Sequence, residues 1–365
     1  MSEDFVKVAD TKDIQPSRMK EVQVDGENIC VVNVDGNYYA IGSICTHEGG
    51  PLAAGTLEGY EVECPWHNSK FDVRTGEVTN PPANEPETSY EVKVDGNDIL
   101  IKRQGKSKTS SQTKLMLLKK DKAEGTDVMS FRFSNQNELQ GDRKLLLDYA
   151  AGQFAFFDIG GVYGDPKGPI RHFTISSSPT ENFIMLTTRV RESPYKKRLS
   201  TLEEGAKVNV RGPEGQFVLH HDYSKPAVFL SGGIGVTPFR SMVKYATDKQ
   251  LPLQITMFDS NKSRGEILFK EEFDDWENTN KNLKIVYTIS EDQQEQSLSA
   301  TNAWKGEYGR IDKAMILKYI DSNAINNSIF YVCGPPGMIK AMQSLLQEDM
   351  GITKERIKVE EFTGY

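Results

Sequence analysis

At 365 residues the chain is long enough for two or three domains. A hydrophobic share of 37%, no apolar run near the ~20 residues that span a bilayer, and an acidic start (Met1-Ser2-Glu3-Asp4) without a signal-peptide pattern predict a cytoplasmic protein with no membrane segment. Residues 1–104 carry 9 Lys and Arg against 19 Asp and Glu, a net −10 in a chain of total charge −8; this argues against nucleic acid and allows either docking to a basic partner or plain solubility.

Residues 1–103 read as small antiparallel β structure. Apolar and polar residues alternate in short runs such as Ile29–Val34 and Tyr90–Val94, with turn signals at Asp25-Gly26, Asp35-Gly36 and Asp95-Gly96. Within this region lie Cys45-Thr46-His47 and Cys64-Pro65-Trp66-His67, with sixteen residues between His47 and Cys64. Two thiolates and two imidazoles on two short loops can ligate a [2Fe–2S] cluster, sulfur on one iron and nitrogen on the other. The same donors could build a tetrahedral zinc site, although zinc sites normally space Cys with Cys and His with His. Of the four cysteines, Cys30, Cys45, Cys64 and Cys333, two are thereby committed, which leaves no disulfide framework.

The wider pattern, Cys45-Thr46-His47-Glu48-Gly49-Gly50 and Cys64 through Asp72, closing with Thr75-Gly76, resembles a Rieske iron–sulfur domain. The resemblance implies Cys45, His47, Cys64 and His67 as the metal ligands. High-potential respiratory members add a loop-to-loop disulfide, where this chain has Gly50 and Trp66, so the likeness is to the soluble Rieske-type ferredoxins. Ser69 can donate a hydrogen bond toward sulfur, and Phe71 stands where high-potential relatives have Tyr, which implies a lower potential.

Residues 104–113 lack apolar side chains and read as a linker, a tether that keeps a mobile donor close to its partner. Residues 114–222 return to β-rich sequence. Ala151-Gly152-Gln153-Phe154 is followed by Arg171-His172-Phe173-Thr174-Ile175-Ser176, then by a strand at Thr187–Val190 and a helix start at Ser193. This order resembles the flavin-binding barrel of the ferredoxin–NADP reductase family. It implies FAD, although FMN stays open. Arg171 would pair with the pyrophosphate, Phe173 would stack on the ring system in place of the usual Tyr, and Thr174 would hydrogen-bond the reactive edge. His172 and Ser176 belong to the same candidate site, and Lys196 offers positive charge where relatives have a small-residue turn. Arg211 through Phe217 matches a turn at the end of that barrel.

From 223 onward the rhythm is α/β. The strand Ala227–Leu230 runs into Ser231-Gly232-Gly233-Ile234-Gly235-Val236-Thr237-Pro238 and a helix, an arrangement that lets backbone N–H groups cradle a pyrophosphate. A second strand, Ile329–Val332, ends in Cys333-Gly334-Pro335-Pro336-Gly337. Both resemble the nicotinamide-binding lobe of the same reductase family. The likeness implies that Gly232, Gly233, Gly235, Thr237, Pro238, Gly334 and Pro335 hold the nucleotide, that Cys333 positions the nicotinamide, and that Phe362 or Tyr365 covers the flavin. Asp259 after the strand Leu253–Phe258 would favour NADH, while Lys262 and Arg264 would favour NADPH.

The expected fold is multidomain: an all-β Rieske domain (1–103), a linker (104–113), an antiparallel β-barrel for FAD (114–222) and an α/β NAD(P)-binding domain with a parallel sheet (223–365). The expected activity is NAD(P)H-dependent electron transfer through FAD and the cluster to a separate protein acceptor such as an oxygenase component. A self-sufficient oxygenase and an iron–sulfur redox sensor are the alternatives. Beyond the ligands only His172, His220 and His221 remain for the two-His, one-carboxylate iron site that an oxygenase needs.

Overall fold

A computed structural model describes residues 5–24, 27–47, 49–83, 86–102, 113–134, 147–291 and 304–362. The chain divides into two compact units, Met1–Thr109 and Ser110–Tyr365. The expected linker lies outside the described residues up to 112, and Thr113 already opens the strand Thr113–Lys122.

The first unit is all β. Arg18–Val24, Glu27–Val34, Asn37–Gly42 and Ser89–Tyr90 form one sheet, and Thr56–Glu58, Glu61–Glu63, Lys70–Asp72 and Val78–Asn80 form another. A third sheet joins Phe5–Asp10, Asp98–Lys102 and Val92–Asp95. The strand Glu27–Val34 feeds two cores. Ile29 and Val31 pack with Ile99 and Ile101, while Cys30 and Val32 pack with Leu52, Val62 and Phe71. That two-sided burial explains the unbroken apolar run Ile29–Val32 within the strand. Asp35 and Gly36 both take positive φ (52° and 88°), as the tight hairpin between Glu27–Val34 and Asn37–Gly42 requires.

The second unit begins with a six-stranded antiparallel sheet in the order Ile170–Thr174, Phe154–Asp158, Lys207–Glu214, Thr113–Lys122, Val128–Ser134, Ile184–Arg189. It encloses a core of Leu115, Phe131, Phe133, Phe157, Leu186 and Leu199. Residues 211–214, expected as a turn, continue the strand Lys207–Glu214; Gly212 (φ 137°) lets it pass Ala155, whose Cβ would lie 3.1 Å from a Cβ at 212.

A six-stranded parallel sheet follows: Glu307–Tyr308, Leu283–Ile289, Ile255–Asn261, Ala227–Gly232, Ile329–Gly334, Ile357–Glu361. Ala227 and Phe229 face one apolar layer, and Val228 and Leu230 the other, so helices cover both faces. The chain reverses its direction of travel beside Ala227–Gly232, which places a crevice at the C-terminal end of that strand.

One buried cation bolts this lobe to the barrel. Arg240, on the helix Thr237–Asp248, donates to Ser176 O (2.9 Å) and pairs with Glu181 (2.9 Å) and Glu272 (2.6 Å). Ser241 Oγ donates to Ser177 O at 2.6 Å beside it. No helix among the described residues is long and apolar enough to cross a membrane.

Candidate functional site

Two loops with matching backbone close on the four expected ligands. Cys45 N–H donates to Gly50 O (2.8 Å) and Gly49 N–H to Cys45 O (2.8 Å). In the second loop Cys64 N–H donates to Ser69 O (2.8 Å) and Asn68 N–H to Cys64 O (3.1 Å). Each closure uses a left-handed residue four places after its cysteine: Gly49 (φ 77°) and Asn68 (φ 61°), the residue types that tolerate it.

The donors sort by kind. The Cys45 and Cys64 thiols are buried and hydrogen-bonded to each other, and the His47 and His67 rings lie 4.9 Å apart at 88°. The Cys64 thiol is held below the usual thiol range by its bond from Cys45 and by the backbone amides of Trp66 and His67, whereas Cys45, which donates that bond and is buried, is pushed up. At Gly50 a Cβ would lie 2.6 Å from Cys64 Sγ and 3.2 Å from the Trp66 ring, so glycine lets the loops approach. Among the described residues no three of His, Cys, Asp or Glu converge on one metal position. Pairing sulfur with sulfur and imidazole with imidazole suits two irons with two ligands each better than one tetrahedral zinc. Ser69 Oγ accepts from Ala83 N–H (2.9 Å), and Phe71 lies in the core.

In the barrel, Ile170–Thr174 pairs with Phe154–Asp158, which puts Arg171 and Phe173 on one face and His172 and Thr174 on the other. Phe173 packs on Phe157 and Tyr195, both at 5.9 Å. The Arg171 guanidinium is held by Asp165 and by the carbonyls of Lys167, Gly168 and Ile170. His172 packs between Phe154 and Phe156. The Thr174 hydroxyl is buried with no hydrogen-bond partner among the described residues, an open donor of the kind a flavin ring edge would take up. Ser176 differs from expectation: its hydroxyl is committed to Met185 O (3.0 Å) and Thr187 Oγ1 (3.1 Å) inside the sheet. Lys196 sits in the short helix Pro194–Ser200, and burial, with Arg191 next, pulls its amine down to about 8.

The crevice of the parallel sheet is a cleft of about 680 Å³. Gly232, Gly233 and Pro335 line it, together with Ser260, Lys262 and Arg310. Arg189 and Arg191 reach it from the barrel; Arg189 is braced by Asp127 and by Glu266 (3.1 Å). Arg189, Arg191 and Arg310 escaped the sequence reading because they come from two separate strand ends, with no local spacing to mark them.

Several expected nucleotide contacts stand behind the cleft. Thr237 Oγ1 donates to Ile234 O (3.0 Å) and Pro238 is buried at the helix start, so both shape the turn. Gly235 allows close packing, since a Cβ there would lie 2.3 Å from Cys333 O, and one at Gly334 would lie 3.0 Å from Met338 Sδ. Asp259 is 0% exposed and accepts from Ser231 Oγ (2.7 Å) and Asn261 Nδ2 (2.8 Å). It therefore cannot reach a ribose from this position, and its neighbours Ser260, Asn261 and Lys262 face the cleft instead.

Cys333 is fully buried, with its thiol pushed well up by burial and by nearby Glu360. Glu360 lies opposite it in the parallel pairing; burial pushes its carboxyl up to about 8, and its enclosed Oε2 has no hydrogen-bond partner among the described residues. The sequence reading missed Glu360, because only the sheet register brings it to Cys333. Phe362 N–H donates to Gly334 O (3.3 Å), while Tyr365 lies outside the described residues. His220 is bound to Tyr331 Oη (2.9 Å) and Lys225 O (2.8 Å).

Residues 4–94 match the Rieske [2Fe-2S] domain, and residues 229–344 match the oxidoreductase NAD-binding domain. A component of the Na(+)-translocating NADH-quinone reductase of Pseudoalteromonas atlantica is 31% identical over 230 residues, covering 58% of this chain and 53% of that protein. Flavohemoprotein A of Dictyostelium discoideum is 27% identical over 66% of this chain and 57% of its own length. The chain thus spans about half the length of the curated relatives it matches. Among solved structures, the flavohem-like FAD/NAD binding domain of nitric oxide dioxygenase from Vibrio cholerae aligns with a TM-score of 0.57 at 19% identity, over 69% of this chain and 98% of that one, a likeness of fold.

Proposed function

The chain joins a Rieske [2Fe–2S] domain to a reductase-type barrel and an oxidoreductase NAD-binding domain, and from that premise we propose that it takes electrons from NADH or NADPH and passes them through FAD and the cluster to a separate protein acceptor, such as an oxygenase component. The presence of an ordered donor set and a dinucleotide cleft in one chain carries this reading. Flavin, when bound, would accept one hydride, an electron pair with its proton, and could release the two electrons singly to a [2Fe–2S] cluster, which takes one at a time.

Each residue has a definite part in this reading. Gly232 and Gly233 bring backbone amides to the nucleotide pyrophosphate, and Arg189, Arg191, Lys262 and Arg310 supply countercharge. Thr174 presents its unclaimed hydroxyl to the flavin edge. Phe173 and Phe362 provide apolar cover, and Lys196, joined by Arg171 once it is released from Asp165, meets the flavin phosphates. Cys333 and Glu360 pack at the nicotinamide end. Cys45, His47, Cys64 and His67 ligate the irons, and matched loop closures hold them at fixed separation. The reading places the protein in the cytoplasm, where reduced nicotinamide is available.

The test is the purified full chain. It is expected to be coloured, with flavin absorption over a [2Fe–2S] spectrum, and to oxidise NAD(P)H with a one-electron acceptor. One zinc per chain with no iron or sulfide would end the Rieske assignment, and failure to take up any flavin would end the reductase.

A further inference from the structure

The first ligand loop is fastened to the body of its domain by a distant side chain. Glu87 Oε1 accepts from the backbone N–H of Thr46 at 2.8 Å, across forty-one residues of sequence. Thr46 stands between the candidate ligands Cys45 and His47. Glu87 is only 7% exposed.

The surrounding backbone is shaped to admit it. A Cβ on Gly42 would lie 2.4 Å from Glu87 Oε2, and one on Gly76 would lie 2.0 Å from Glu87 O. Gly42 does not have the positive φ that calls for glycine, so its missing side chain serves the room the carboxylate needs. Glu87 N–H also donates to Gly76 O (2.8 Å). Gly42 thus makes space for the carboxylate itself, while Gly76 (φ 80°) lets the chain pass close to the backbone of the same residue.

A carboxylate is a costly thing to enclose when an amide would accept the same hydrogen bond. What it adds over an amide is charge. A fixed negative charge beside a cluster opposes the arrival of another electron, because screening is weak in a dry interior.

We propose that Glu87 is a positioning residue that anchors the Cys45–His47 loop and, by its negative charge, holds the cluster at a lower reduction potential. The inference rests on the Rieske reading above. A lower potential leaves the reduced cluster more driving force toward the next acceptor.

The test uses the full chain carrying its cluster, in three forms: wild type, Glu87→Gln and Glu87→Asp. Glutamine keeps an acceptor for Thr46 N–H and removes the charge. Aspartate keeps the charge but withdraws it by one methylene. Iron and sulfide per chain are measured first, then the midpoint potential by redox titration of the cluster's EPR signal. The expected order is wild type lowest, Asp intermediate and Gln highest, with iron content retained. Equal potentials in all three forms, or a downward shift in the Gln form, would overturn the inference. Should the Gln form hold no cluster, the Asp form decides: an upward shift supports the inference and an unmoved potential overturns it. A wild-type chain without iron and sulfide would bring down the Rieske reading and this inference together, whereas a loaded wild type with unmoved variants brings down only the second.

Discussion

The cluster loops and the nucleotide cleft reach order by opposite means. The loops hold their four donors within 23 residues of chain, from Cys45 to His67, and each loop closes on itself through backbone bonds. The cleft gathers Gly233, Lys262, Arg310 and Pro335 from separate strands, with Arg189 and Arg191 arriving from the barrel. A metal bond specifies donor atoms and short spacings, so one substitution removes it. A nucleotide is held by backbone amides and interchangeable cations, so the loss of one contact is graded. Variants of the two regions should therefore differ in kind.

The largest effect is expected at the loops. Replacing His67 with Ala removes a candidate iron ligand and should bring transfer to one-electron protein acceptors down to background, with loss of iron. Stopped-flow bleaching of the flavin by NAD(P)H should continue, since it uses the second unit alone. Abolished bleaching in a folded His67→Ala protein would contradict the two-module reading.

At the flavin strand, Thr174→Val keeps shape and deletes the unclaimed hydroxyl. Hydride transfer measured in single turnover should slow about tenfold, the ~1.4 kcal/mol of one hydrogen bond, with flavin content unchanged. No change in rate would remove Thr174 from the site.

Lys196 gives a smaller and pH-dependent effect. Its amine is pulled down to about 8 by burial, and a bound pyrophosphate would raise it. The bound form then holds the proton more tightly than the free form. The extra flavin affinity is complete below about 8 and is lost as pH rises through the bound value. Lys196→Met should weaken flavin binding by ~1 kcal/mol, near fivefold, at neutral pH and flatten the dependence. Fluorescence titration of flavin from pH 6.5 to 9.5 reads both.

The smallest change is expected for Asp259→Asn. Because Asp259 bonds Ser231 and Asn261 behind the cleft wall, the ratio of kcat/KM for NADH to that for NADPH should stay where it is. A shift of tenfold or more would show that the carboxylate reaches the ribose.

Legibility followed the same division. The two Cys–His loops, the strand–glycine–helix turn at 232–238 and the order of the three folds could be read from local spacing. Asp259 and Ser176 were misjudged because facing inward or outward is decided by neighbouring strands that a local pattern does not contain. Glu87 and Glu360 were invisible for a related reason. One meets its partner forty-one residues away, and the other meets Cys333 only through parallel register.

The buried guanidinium of Arg240 bears on how this chain can be cut. Its charge is neutralised from two sides, by Glu181 of the barrel and Glu272 of the nucleotide lobe. A gene fragment ending near residue 222 would leave Glu181 without its counterion in one product and Arg240 with Glu272 alone in the other, in what had been interior. Recombination that exchanges electron carriers must therefore move the barrel and its nucleotide lobe as a single heritable piece.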